Sequence, residues 1–254
     1  MHFSRTLFFL VFLPITVLGE GSLGDALVKA DAQDAAHDTR GAIKSLEEAN
    51  HAFPEQTEVL VRLSKQHSDL IQDLSSKSEK EKTARRAVDC AERAVKLQPK
   101  HALAQLSLAI CYGKLADIAG NKEKVECSKR IKEHVVESIK LNPADDFAWH
   151  VLGRWNFGIA NINGVLKALC EVAYGGLPVA SNEDAAKFLQ KASDLAPQRI
   201  MHRQYLAHVL MAQGKIDKAR AEWKSILELP SSDKPDDLAK AEARESLKKY
   251  ASRR

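Results

Sequence analysis

Few residues in this 254-residue chain are spaced for chemistry. His134-Val-Val-Glu137 sets an imidazole and a carboxylate one helical turn apart, the arrangement of a base and its orienting partner. A solvated helix face accounts for the same pair, and the nine histidines are scattered without a cluster. Gly113-Lys114 and Gly214-Lys215 lack the surrounding glycines that let backbone N–H groups cradle a phosphate, and read as turns between helices. H-E-x-x-H, a nucleophile elbow and a dinucleotide fingerprint are all missing. Cys90, Cys111, Cys127 and Cys170 form no C-x-x-C pair and have no metal-ligand spacing. Small thiols at helical positions suit buried packing, with an inter-helix disulfide as the alternative in a lumenal chain. The sequence therefore predicts neither enzyme, cofactor nor metal site, which leaves binding.

The elements that must position a binding surface are helices. Only 12 Gly and 8 Pro interrupt a chain rich in Ala, Leu, Lys and Glu, and aromatics make up 6%. That is helical composition. Four stretches end alike: Ala49 to Pro54, Ala94 to Pro99, Ser138 to Pro143 and Ala192 to Pro197. A fifth, Ile226 to Pro230, is one residue tighter. Each proline stops a helix, because it lacks the N–H and disfavours helical geometry in the residue before it. Upstream of each stop stands a trio at spacings of four and three: Ala42, Leu46, Ala49; Ala87, Ala91, Ala94; Ile131, Val135, Ser138; Ala185, Leu189, Ala192; and Ala219, Trp223, Ile226. Such spacing puts each trio on one helix face. After the stops come second apolar helices, marked by Leu60, Leu63 and Ser64, then Leu108, Ala109 and Tyr112, then Trp149, Leu152 and Gly153, then Leu206 and Ala207. Trp149-x-x-Leu152-Gly153 matches the opening of the tetratricopeptide pattern.

The prediction is an all-α, right-handed superhelical array of about five tetratricopeptide-like helix pairs with a C-terminal capping helix over Asp236–Tyr250. The helix-stop prolines Pro54, Pro99, Pro143 and Pro197 lie 45, 44 and 54 residues apart, against about 34 in the ideal repeat. Insertions around Ser75–Glu81 and Ala119–Lys124 therefore lengthen the middle helices. A third, Asn161 to Ala180, reads as a short extra helix and a Gly175-Gly176-Leu177-Pro178 turn, with a capping signal at Ser181 to Asp184. The division expected is 1–19 as a targeting segment, 20–230 as the array, and 231–254 as capping helix and basic tail. In residues 1–19 Arg5 is the only charge, and the apolar run from Leu7 to Leu18 is shorter than a membrane span. It suits a secretory signal cleaved after Gly19, an uncleaved anchor, or a mitochondrial presequence.

Repeat arrays bind along the concave surface lined by the first helix of each pair. Projecting the repeat onto inward positions gives Arg62 and Lys65, His150 and Arg154, and Gln204, Tyr205 and His208. Arginine offers a planar fork to carboxylates, to which Lys or His adds charge. Such a groove suits an acidic extended peptide or an anionic lipid head group; the alternatives are plain solvation and, for Arg154, a structural pair with Asp145 or Asp146. Val61, Leu103, Leu106 and Ser107 stand where a chaperone-tail clamp needs Lys and Asn, so co-chaperone activity is not expected. Lys77–Lys96 and Lys122–Lys140 mix signs at helical spacing, typical of exposed faces. Lys248, Lys249, Arg253 and Arg254 make a basic end fit for an acidic surface or for solvent. A net charge of +4 without a basic patch or aromatic platform predicts no nucleic-acid binding.

The segment His150-Val-Leu-Gly-Arg-Trp-Asn-Phe157, with AVKLQPKHALAQ and HVVESIKLNPADDFAW before it, resembles the regulator of microtubule dynamics family. The resemblance covers about Asp25 to Leu229. It implies a non-enzymatic scaffold of tetratricopeptide-like units that associates with microtubules and spindle poles. Some members are mitochondrial or sit at membrane contacts through an N-terminal hydrophobic segment, with links to phospholipid. Three roles follow as expectations: a microtubule- or acidic-tail-binding scaffold, a membrane-tethered lipid-binding protein, and a secreted or lumenal adaptor.

Overall fold

All fifteen residues of the five trios are buried in the computed structural model, which describes residues 21–251 apart from the Leu166 side chain. The expected targeting segment, 1–19, and Arg253 and Arg254 lie outside the described residues. Twelve α-helices account for the described chain, and no strand occurs among those residues.

The first pair is α1 (Leu23–Ala35) and α2 (Thr39–Ala52). It is followed by α3 (Thr57–Leu70) with α4 (Lys77–Leu97), and by α5 (Ala102–Ile118) with α6 (Asn121–Leu141). In the fourth, α7 (Asp146–Ala160) packs on α9 (Asn182–Leu195), and α8 (Gly164–Tyr174) is inserted between them in sequence. The fifth joins α10 (Ile200–Ala212) and α11 (Ile216–Glu228), and α12 (Lys234–Lys249) closes the array against α11. Inner helices α3 and α5 also touch each other, as do α7 and α10.

Local chemistry explains the punctuation. Ser22, Asp38, Ser76, Asp145, Ser181 and Asp233 each cap a helix by accepting a backbone N–H of the first turn. At Ser181 the backbone of Asp184 donates at 3.0 Å, and the serine hydroxyl donates to the Asp184 carboxylate at 2.9 Å. Gly214 takes φ +71° in the turn from α10 to α11, a left-handed geometry that favours glycine. The middle helices are long, with 21 residues in α4 and α6 and 17 in α5. The first insertion lengthens only one member of its pair: α3 stays at 14 residues and gains a 3-10 turn, Ile71–Asp73.

The Leu152-Gly153 pair shows why the motif needs a small residue. A Cβ on Gly153 would lie 2.6 Å from Leu189 Cγ and 3.2 Å from the Ala185 carbonyl, so the glycine permits the approach of α7 and α9. Trp155 is buried and donates its indole N–H to the Ser128 carbonyl at 2.9 Å, tying α7 to α6. The four cysteines are buried free thiols, with no disulfide among the described residues. Burial pushes Cys111 up to about 12 and Cys90 and Cys127 up to about 11, far from the thiolate form that reacts. His134 donates Nδ1–H to Gln105 Oε1 at 2.7 Å, a structural contact rather than a partnership with Glu137.

Candidate binding groove

The seven inward residues divide into two clusters. At the first, Arg62 and Lys65 on α3 face α1. Arg62 forms a bidentate pair with Asp31, Nε and Nη2 donating at 2.8 and 3.0 Å, and a third bond to Glu58 at 3.1 Å. Lys65 Nζ donates to Asp34 at 2.8 Å and to Asp69 at 2.9 Å. Burial alone would raise the Asp34 pKa, but hydrogen bonds from Gln66 and Lys65 hold it below the usual carboxylate value. Four carboxylates thus surround two cations, and this end of the groove is not electropositive.

The second cluster spans α7, α10 and α12. Arg154 is exposed and lays its guanidinium over the Tyr205 ring, 4.5 Å from the centroid. It makes no ion pair among the described residues: Asp145 caps α7 through the N–H groups of Phe147 and Ala148, and Asp146 is taken by His202 and Arg199. Arg154 thus makes a cation–π contact, and the alternative of a structural pair with Asp145 or Asp146 is not formed. Tyr205 stands edge-on to His150 and His208, with ring centroids 5.1 and 5.7 Å away. Glu242, from the capping helix, accepts from Gln204 Nε2 at 2.7 Å and from His208 Nε2 at 2.5 Å. Burial raises the Glu242 pKa, and these two bonds more than offset it.

His150 is 0% exposed and contributes no charge to the groove. A carboxylate only accepts, so His202 donates Nε2–H to Asp146 at 2.7 Å. His202 Nδ1 is then the acceptor for His150 Nδ1–H at 3.0 Å. That tautomer leaves the buried His150 Nε2 without a partner. Burial, then His202, Arg154 and Arg199, push the His150 pKa down to about 2. Its ring stacks on Phe147 and backs Tyr205, which makes it a wall of the site rather than a contact surface.

Sequence projection missed Asp31, Asp34 and Glu242, the carboxylates that accept hydrogen bonds from four of the seven, Arg62, Lys65, Gln204 and His208. A signal was available: each pair spans about one repeat, 31 residues for Asp31–Arg62 and Asp34–Lys65 and 34 for His208–Glu242. A cation on one inner helix meets whatever occupies the matching position of its neighbour.

Comparison with known proteins bears on the family and the fold. The family model described as Regulator of microtubule dynamics protein 1-3 matches residues 24–251. Regulator of microtubule dynamics protein 1 of Mus musculus is 32% identical over 145 residues, 56% of this chain and 47% of that protein. Regulator of microtubule dynamics protein 3 of the same organism is 28% identical over 207 residues, 80% of this chain and 44% of that protein. The chain spans about half the length of the curated relatives it matches. Among solved structures, a thermophilic tetratricopeptide protein of Thermus thermophilus, TTC0263, superposes with a TM-score of 0.65 at 17% identity, covering 88% of this chain and 99% of that one. Pseudomonas aeruginosa pilF gives 0.59 at 13% identity, covering 90% and 88%. These two likenesses show the fold alone. The match across nearly every described residue shows that the chain belongs to the regulator of microtubule dynamics family.

Proposed function

We propose that this chain is a non-catalytic scaffold that holds an acidic, extended segment of a protein partner against its concave face, with the tail of tubulin on a microtubule as the leading candidate. The names of its relatives favour the microtubule, and the observation that carries the binding mode is Arg154. Its guanidinium is exposed, makes no ion pair among the described residues and sits over Tyr205 at 4.5 Å, so the ring helps fix its position before a ligand arrives. Bidentate carboxylate binding by such a fork is stronger and more directional than an ammonium contact. Arg62 and Lys65 play a structural part, fastening α1 to α3.

The test is co-sedimentation of the full chain with microtubules across a salt series. Binding should weaken as salt rises and should fall at least about tenfold in Arg154→Ala, the loss of one charge-assisted bidentate contact. Binding that is absent, or indifferent to both salt and Arg154, removes the proposal.

A further inference from the structure

The inner helices present the same positions to the groove but fill them with opposite chemistry. The register is set by the Leu-then-small pair of each helix, Leu63-Ser64, Leu108-Ala109 and Leu152-Gly153. On α3 the inward face reads Glu58, Arg62, Lys65 and Asp69 at spacings of four, three and four, all charged and tied to one another in ion pairs. The matching positions of α5 include Leu103, Ile110 and Lys114, and those of α7 include Phe147, Val151 and Arg154. No carboxylate stands at the matching positions of either helix. Lys114 and Arg154 make no ion pair among the described residues.

The apolar members are open on one side only. Leu103 is 46% exposed, and Ile110, Phe147 and Val151 are half-buried. The last three rest on the core cluster that α5 and α7 share, which contains Leu106, Ala109, Ala148 and Leu152. Core packing therefore holds the strip rigidly while its outer side faces the groove. Helices sharing a core stand about 10 Å apart, and an extended chain advances about 3.3 Å per residue. A segment with an acidic side chain at Arg154 thus reaches α5 within about three residues. Val151 is nearer still, one helical turn from Arg154. Charge decides what lies there. Two unpaired cations beside an apolar strip complement a segment that carries both acidic and apolar side chains. The apolar run at residues 7–18 of this chain contains no carboxylate and does not match.

We infer that the partner segment is mixed: an acidic residue meets Arg154, and an apolar residue two or three places away seats on the strip of Leu103, Ile110, Phe147 and Val151. This rests on the acid contact proposed above and adds the feature that selects among acidic segments.

The test titrates the full chain with two fluorescent peptides of equal length and charge. One contains only Glu and Gly; in the other, Leu replaces the two Gly that stand two and three places from a central Glu. The Leu peptide should bind at least about tenfold more tightly, the scale of burying part of one leucine. Leu103→Ser and Val151→Asn should each shrink that advantage to within about threefold and leave the Glu–Gly peptide unchanged. Arg154→Ala should weaken both peptides alike. Circular dichroism checks that the variants fold, and Leu103 is exposed enough to be replaced without loss of the core. Equal affinity of the two peptides for the parent chain overturns the inference and leaves the acid contact standing. An advantage that survives both Leu103→Ser and Val151→Asn also overturns it, because the apolar contact then lies elsewhere. Indifference to Arg154→Ala contradicts the acid contact instead. Binding of neither peptide removes both readings, whether a retained lipid or a second copy fills the groove.

Discussion

The two ends of the concave face carry the same kinds of residue and do different things with them. At the first pair, Arg62 and Lys65 are consumed by Asp31, Asp34, Glu58 and Asp69. At the far end, Arg154 rests on an aromatic ring and keeps its donors free. The positions of Lys65 and Arg154 are equivalent, each following the Leu-then-small pair of its inner helix, Leu63-Ser64 and Leu152-Gly153. What separates them is the neighbouring inner helix: α1 offers Asp34 to Lys65, whereas α10 offers Tyr205 to Arg154. An inward charge in a repeat array is thus available only if the next repeat leaves it so.

Acid should act on both ends but more on the far one, because α3 buries one imidazole whose pKa burial lowers, His67, whereas α7 and α10 bury two, His150 and His202. His150 and His202 are held neutral, with folded-state pKa values below the ordinary imidazole value. As pH falls below about 6.5 the unfolded chain takes up protons that the folded chain refuses. The far end therefore loses stability from that point downward, by up to about 1.4 kcal/mol per unit for each such imidazole. Asp34 has a lowered pKa, so the stability it contributes is present above about 3.9 and is lost only as pH falls through its folded value. Hydrogen exchange between pH 7 and 5 should show α7 and α10 opening before α1 and α3, and a His150→Phe chain should lose less stability over that window. Uniform opening would erase the contrast.

Substitution should sharpen it next. Tyr205→Leu removes the platform under Arg154, costs about 0.5–1 kcal/mol of cation–π contact, and should weaken acidic-peptide binding a few-fold in a fluorescence titration. Asp31→Asn with Asp34→Asn should do the reverse at the first end. It leaves Arg62 with Glu58 and Lys65 with Asp69 as their remaining carboxylates, raises acidic-peptide affinity, and lowers unfolding stability by about 1 kcal/mol, the scale of partly exposed ion pairs. The smallest effect is expected at Glu242→Gln. Its carboxylate has a lowered pKa, so it stabilises the fold above about 4.3, and that contribution is lost as pH falls through its folded value. The variant should melt within about 1 kcal/mol of the parent at pH 7 and lose less on acidification.

The scaffold was legible in the sequence because it rests on periodicity and punctuation. Proline stops, the trios of small or apolar residues and Leu152-Gly153 each answer to one short-range demand, and Ala42, Leu189 and Trp223 are buried as that demand requires. The inserted helix was equally readable, being bracketed by Asn161 and by Gly175 and Gly176, both at positive φ. The site was less so, because its electrostatics depend on residues about one repeat away. His150 occupies an inward position, yet Phe147 and Tyr205 pack against it and His202 binds it from behind. No local pattern announces that closure. Nor did the Asn161–Ala180 stretch announce that its helix would turn Val165 and Val172 outward, since which side packs on α6 is a tertiary choice.

The central claim is that the far end binds an acidic partner and the first end does not. Its most direct test is a titration of a fluorescent tubulin-tail peptide with the full chain, compared with Arg154→Glu and Arg62→Glu. The account predicts that Arg154→Glu abolishes binding, while Arg62→Glu leaves the affinity within about twofold, since its charge was already matched by Asp31 and Glu58. Equal loss in both variants, or loss confined to Arg62→Glu, would contradict it.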